Sequence, residues 1–479
     1  MKKWKKPVGA VLALALLACL LPAGAFAEAA VDTWDGTADT SWYDADPDAD
    51  TFVVGSAEDL AGLSQLTNGE TPVTFAGKII LLEADLDLAG REWHAISENA
   101  TAGSRAFQGS FDGQGHVIRN LNNGGEDERR TGLFGVIDKA VVKNLRIENA
   151  QINTTGEYTR LHTGVLASWA NASAIENCST SGTLTCATDI LIGGLVGQAT
   201  AGTRIVGCGS DVDVKSTFPP QEVGGPAPTV GGLVGQWETV AENSLIADCY
   251  FAGSLDVASS QAACGGILGA HFDFTGPYGI TITNCVAAPS EVQCGSMGNV
   301  TYIAAIDEYG TVTNCLWPAL TGEVNAVVQL VVDWDAGTAE ADPNFDQNQC
   351  GRQVESFADA ALVDELNANA QSGVTWVMGI KHPTFVWDER NLPADYTRVD
   401  AAIQQANALR AADYTDFSAV TAAVNAVDRT KSKAQQAEVD AMAQAILEAI
   451  AALEKKPAPA PAPAPADGAG QKQNPKTGV

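Results

Sequence analysis

Short apolar clusters recur through the middle of the chain, separated by Gly, Asn and Ser, and they recur with a period. Gly132-Leu133-Phe134-Gly135 is followed by Gly164-Val165-Leu166-Ala167, Gly194-Leu195-Val196-Gly197, Gly232-Leu233-Val234-Gly235 and Gly266-Ile267-Leu268-Gly269, with Ala304-Ala305-Ile306 as a degenerate sixth copy. Successive copies are offset by 32, 30, 38, 34 and 38 residues, a spacing that signals stacked structural repeats. A second landmark lies downstream: Ile175-Glu176-Asn177-Cys178, Ile205-Val206-Gly207-Cys208, Ile246-Ala247-Asp248-Cys249, Ile282-Thr283-Asn284-Cys285 and Val312-Thr313-Asn314-Cys315. In the first copy Val142-Lys143-Asn144-Leu145 holds that place. A third alternating stretch often follows, as in Gly182-Thr183-Leu184 and Gly253-Ser254-Leu255-Asp256-Val257.

Three short β-type segments per unit do not make a helical hairpin. They predict a mostly β fold, a right-handed parallel β-helix (solenoid) in which each segment lies on its equivalent in the next coil, about 4.8 Å away. Aliphatic and Cys positions then point inward, and the Asn before each Cys sits at a turn where the left-handed αL conformation is tolerated. Upstream, Phe107 to His116 leads into the alternating Val117-Ile118-Arg119-Asn120-Leu121, after a strand over 78–88 and an amphipathic helix over 57–66. Such a helix would cover the open first coil. Beyond the repeats, 357–367 reads as a helix and 375–378 and 385–387 as closing strands.

From Tyr396 the period changes. Val399, Ile403, Ala406 and Leu409 share one helical face, as do Val420, Val424 and Val427, and then Val439, Met442, Ile446, Ile450 and Leu453. Breaks at 413–417 and 430–433 exclude one continuous coiled coil and predict a small three-helix bundle.

The Gly-Leu-Val-Gly copies, the lead-in Phe111-Asp112-Gly113-Gln114-Gly115-His116 and Lys381-His382-Pro383-Thr384-Phe385 resemble the GLUG-repeat β-helix proteins, across residues 51–390. That family occurs on bacterial surface proteins and adhesins and beside some secreted peptidases, so the resemblance implies the fold and a surface setting. The stretch from Ala411 to Ser418, with Gln436 to Met442 and Ala449 to Leu453, resembles the FIVAR module over 394–455. The resemblance implies a stalk in a wall-attached protein, or a neighbour of sugar-active and adhesive domains there, and no catalytic residue.

The two ends read as sorting signals. Lys2, Lys3, Lys5 and Lys6 precede an apolar run over 8–21, and Ala25-Phe26-Ala27 is a small-x-small site, so cleavage is expected between Ala27 and Glu28. Cys19 as a lipoprotein cysteine is the lesser reading. After a linker over 28–50, the solenoid and the helical module, residues 456–479 hold a Pro/Ala-rich spacer. It leads to Asn474-Pro475-Lys476-Thr477-Gly478, which resembles the motif sortases cleave between Thr and Gly to join proteins to peptidoglycan in Gram-positive bacteria. The apolar span and basic tail of sortase substrates do not follow it, so the chain is expected to be either truncated after the motif or released.

Charge and chemistry narrow the function. The first 27 residues hold four lysines and no acid, leaving 24 basic against 58 acidic groups, a net charge of −34. Such a chain repels nucleic acid, and no segment of the mature chain is apolar for long enough to span a membrane. Nine of the ten cysteines follow the signal. Cys178, Cys208, Cys249, Cys285 and Cys315 are expected to stack as buried thiols rather than as a disulfide or metal ladder, since no CxxC spacing exists. A bridge among Cys186, Cys264, Cys294 and Cys350 stays open.

The five histidines, His94, His116, His162, His271 and His382, form no His-Glu-x-x-His, and there is no Gly-x-Ser-x-Gly elbow. His116 reads as a packed turn residue. No catalytic, cofactor-binding or metal residue is assigned. Asp112 with Glu126, Asp127 and Glu128, the pair Asp333 and Asp335, and the pair Asp342 and Asp346 are the acids that a carbohydrate-active enzyme or a Ca²⁺ site would use. A solvated acidic face is the bland account of them. Trp42, Tyr43, Tyr158, Trp169, Trp237 and Tyr250 are the aromatics available to stack on sugars or to plug the coil. The expectation is an exported, non-enzymatic surface protein without cofactor, binding a host or dietary glycan or a matrix protein. The alternatives are a lyase or hydrolase, and a passive stalk.

Overall fold

Each repeat folds into three short strands because its apolar positions alternate and its Gly and Asn positions break the chain between them. In the third full repeat these are Val196–Thr200, Arg204–Val206 and Gly209–Ser216. In the computed structural model residues 32–457 are described, apart from 102, 125–129, 155–161, 188, 220–226, 260–261, 274–277, 296–298, 321–323, 334–337 and 372. Parallel pairing of equivalent strands builds a β-solenoid of about seven turns with sheets of 13, 12 and 9 strands. Two compact units divide the chain at Asp388/Glu389.

The pairing register explains the inward columns. Phe52 pairs with Ile80, Ile80 with Phe111 and Phe111 with Val142, and the column continues through Ile175, Ile205, Ile246 and Ile282 to Val312. All are at most 5% exposed. The residue before each Cys adopts the left-handed backbone expected of it: φ is 52° at Asn177, 63° at Gly207, 53° at Asp248, 55° at Asn284 and 53° at Asn314. The side amides at this corner form a ladder, with Asn144 Nδ2 donating to Asp112 Oδ1 at 3.0 Å and Asn177 Nδ2 to Asn144 Oδ1 at 3.3 Å.

The repeat glycines answer a different need. The strand Leu191–Gly193 enters the bend and Val196–Thr200 leaves it, so two backbones lie against each other. A Cβ on Gly193 would sit 1.9 Å from the Val196 carbonyl oxygen, and one on Gly197 would sit 2.6 Å from the Thr163 nitrogen. Close approach excludes any side chain there.

Ser56 caps the helix Ala57–Asn68 through a capping box with Asp59, and the helix buries Leu60 and Leu63 at the first coil, as expected of a cap. The closing segment, however, packs along the flank of the solenoid. Tyr250, Val286 and Leu316 point outward from successive strands while Phe251, Ala287 and Cys315 point inward. The helix Ala361–Asn369 and the antiparallel pair Trp376–Met378 and Pro383–Phe385 cover that outward stripe with Leu362, Leu366, Trp376 and Phe385. The reason is local: strands that are apolar on both faces must be covered twice.

The second unit holds the helices Thr397–Asn407, Ser418–Asn425 and Gln436–Ala451, joined in one apolar cluster by Val399, Val420, Val439 and Ile446. Among the described residues no helix is long and apolar enough to cross a membrane.

Candidate functional site

The strands that carry the Gly-Leu-Val-Gly copies run side by side, so residues far apart in sequence meet across their outer surface. Trp169 is partly exposed and packs on Val136, Ala100 and Ala106, a cluster separate from the main core. His162 stacks on its ring at 5.5 Å and 16°, and the Arg130 guanidinium lies over the same ring at 5.5 Å. Arg130 Nη1 is 2.6 Å from His162 Nδ1. An arginine only donates, so Nδ1 accepts and the ring proton lies on Nε2. The Gln198 side chain lies beside the imidazole and, taken alone, would raise its pKa. Gln198 Nε2 in turn donates to Glu238 Oε2 at 3.3 Å. The result is two directed pairs on successive coils, Arg130 to His162 and Gln198 to Glu238.

A second branch starts at the indole. Trp169 Nε1 donates to Thr200 Oγ1 (3.1 Å), which donates to Asn171 Oδ1 (2.7 Å), and Asn171 Nδ2 donates to the buried Asp138 (2.6 Å). Asp138 is held from its other oxygen by Gly103 N and Gln108 Nε2.

Burial, then the Arg130 charge, push His162 down to about 3, and burial lifts the Glu238 carboxyl above its ordinary value. The histidine therefore stays neutral in the folded protein over a range where the unfolded chain, at about 6.5, has taken up a proton. Between those values the unfolded state binds more protons, so stability falls as the pH drops from about 6.5 toward 3, by up to about 1.4 kcal/mol per pH unit. His162→Asn is expected to flatten this slope. Urea midpoints at several pH values check it, and equal slopes in both proteins would refute the assignment.

The other residues singled out from sequence are placed as follows. Cys178, Cys208, Cys249, Cys285 and Cys315 are free and fully buried. Each Sγ donates to the carbonyl two residues earlier, at 3.2–3.4 Å (Cys249 to Ala247, Cys208 to Val206). Burial pushes Cys178, Cys249 and Cys315 well above the usual thiol value. Cys264, Cys294 and Cys350 are free thiols as well, and Cys186 is fully buried. Among the described residues no three His, Cys, Asp or Glu side chains are grouped to hold a metal ion.

Asp112 is bound by Asn144, by the Gln114 N–H and by Lys143 at 3.3 Å. Asp342 and Asp346 each cap a turn two residues on, through Asn344 and Asn348. Glu126, Asp127, Glu128, Asp335, Tyr158, the Ala27/Glu28 site, and Asn474 to Gly478 lie outside the described residues, as does the side chain of Asp333. Of the proposed sugar platforms, Trp237 and Tyr250 are fully buried, while Trp42 and Tyr43 pack on Phe52 and Phe75 in the N-terminal cap. Trp169 alone of the six joins a polar surface network among the described residues.

His116 is 3.1 Å from Asp85 at its turn, and His94 is 3.2 Å from Glu98. Thr239 Oγ1, His271 and Asp307 stand in the order of a hydrolase triad, at 2.6 and 3.0 Å. Thr239 and His271 have no exposure, so no substrate reaches them.

No family model matches the chain. Halomucin from Haloquadratum walsbyi (strain DSM 16790 / HBSQ001) is 31% identical over 172 residues, which is 34% of this chain and 2% of halomucin. The chain thus matches a small fraction of that protein's length.

Proposed function

We propose that this is an exported surface protein whose solenoid binds a glycan or matrix protein non-covalently through the Trp169 ribbon. The observation that carries the reading is the two directed hydrogen bonds on successive coils, Arg130 to His162 and Gln198 to Glu238, beside an indole. Its groups are committed to holding one another in place: His162 Nδ1 accepts from Arg130, and Glu238 receives Gln198. Such a surface offers fixed hydrogen-bonding directions and an aromatic contact, the requirements of recognition. The extracellular setting rests on the N-terminal pattern read from sequence and is in keeping with the likeness to a protein named halomucin. Wall attachment through Asn474 to Gly478 and a stalk role for the helical module belong to the same proposal.

The test is an array of plant, mucin and matrix ligands probed with the mature chain and with Trp169→Ala. One ligand class is expected to retain the protein, and the substitution to weaken it about tenfold or more. Disappearance of the ligand from its spot would make the protein an enzyme. Retention unchanged in Trp169→Ala would move the site elsewhere, and a blank array would favour a passive stalk.

A further inference from the structure

A second recess lies at the αL corner, away from the ribbon and independent of it. Asp112, Gln114, Gly115, Asn144, Arg146, Asn177 and Trp387 line a groove of about 410 Å³, within the ordinary size range of small-molecule sites. Trp387 comes from the closing segment and is partly exposed. One face of its ring lies flat on Phe385, 5.1 Å away at 13°, so the indole is held as a rigid platform.

The rest of the wall is polar and planar, and the amide ladder fixes its geometry. Asp112 accepts from Asn144, and Asn144 accepts from Asn177. The next coil places Gly207 at the ladder position, where the Val374 side chain packs, so the ladder ends at Asn177. Asp112 stays ionised, since the Asn144 amide, the Gln114 N–H and Lys143 outweigh its burial. Arg146 supplies donors from the far side, one of them already on the Gly115 carbonyl at 3.3 Å.

We propose that this groove binds a neutral pyranose. A sugar ring presents an apolar C–H face to an indole and a rim of hydroxyls that both donate and accept. The groove offers both kinds of surface: a backed aromatic plane, and carboxylate, amide and guanidinium groups around it. Lys143 balances Asp112 at 3.3 Å and Glu148 balances Arg146 at 3.8 Å, so nothing selects for a charged sugar. The three ladder residues repeat at the strand spacing of about 4.8 Å, which sets evenly spaced polar groups beside the ring.

Cello-, malto-, xylo- and chitohexaose are titrated into the mature full-length chain, followed by calorimetry and tryptophan fluorescence. At least one is expected to bind at millimolar concentration or below. Trp387→Ala should weaken it about tenfold or more, Trp387→Phe by less, and Asp112→Asn by several-fold. Thermal melts establish that each variant is folded. If Trp387→Ala is not, Asp112→Asn and Trp387→Phe decide. Absence of binding to all four by folded wild type overturns the proposal, and so does affinity unchanged by Trp387→Ala or, failing that variant, by Asp112→Asn. Binding lost in Trp169→Ala but kept in Trp387→Ala would assign the sugar to the ribbon instead.

Discussion

Gly231→Ala is expected to destabilise the solenoid by roughly 3–5 kcal/mol, although it adds a single methyl group. The built Cβ would lie 1.7 Å from the Val234 carbonyl oxygen, 2.4 Å from its carbon and 3.0 Å from the Gly269 nitrogen. Every one of those atoms is backbone, so no rotamer change relieves the clash. The neighbouring coils repeat the arrangement at Gly193 and Gly265, each 1.9 Å from a carbonyl oxygen, and a local shift is therefore resisted from both sides. Gly90→Ala is the control. There φ is 65° and nothing lies within 4 Å of the added carbon, so the cost is only that of the left-handed backbone, about 1–2 kcal/mol. Urea denaturation of both variants separates crowding from backbone strain. Equal losses would mean that conformational freedom, not close approach, selects glycine in the repeat.

The contrast shows what the sequence carried. A residue's own chemistry announces the αL corner: Asn or Asp at 144, 177, 248, 284 and 314 marks it, and the structure has them there. The repeat of Gly-Leu-Val-Gly announces stacked coils, but the reason for its glycines appears only once two backbones are seen together. The flank stripe was also legible in principle, because Tyr250-Phe251 and Val286-Ala287 are apolar on consecutive positions, which a strand with one wet face would not show.

The ribbon was not legible. Arg130, His162, Gln198 and Glu238 are 32, 36 and 40 residues apart, and the length differences absorbed between landmarks erase any common period. Trp169 could be singled out as an aromatic, whereas its partners could not, since a hydrogen-bond direction depends on register. The corner groove is harder still. Asp112 and Trp387 are joined only by the way the closing segment folds back along the flank.

A buried carboxylate helps to tie that fold-back to the coil, and Asp248→Ala is expected to cost roughly 3–5 kcal/mol. Asp248 has no exposure and sits in the left-handed turn before Cys249. Its Oδ1 accepts from Asn284 Nδ2 at 2.5 Å and from the Trp376 indole at 3.2 Å, and its Oδ2 accepts from the Gln371 N–H at 2.8 Å. Alanine would leave the indole and the amide as donors without that acceptor, and would place a residue without a local hydrogen bond in the αL region. Asp248→Asn keeps the turn and one oxygen but turns a donor toward Gln371 or Trp376, so an intermediate loss is expected. The damage should be regional, because the carboxylate ties the closing segment to the coil and is not part of the inward column. Hydrogen exchange is the measurement: amides of Trp376–Met378 should lose protection while those of Arg204–Val206 keep theirs. Uniform loss along the solenoid would show instead that coil and closing segment unfold as one.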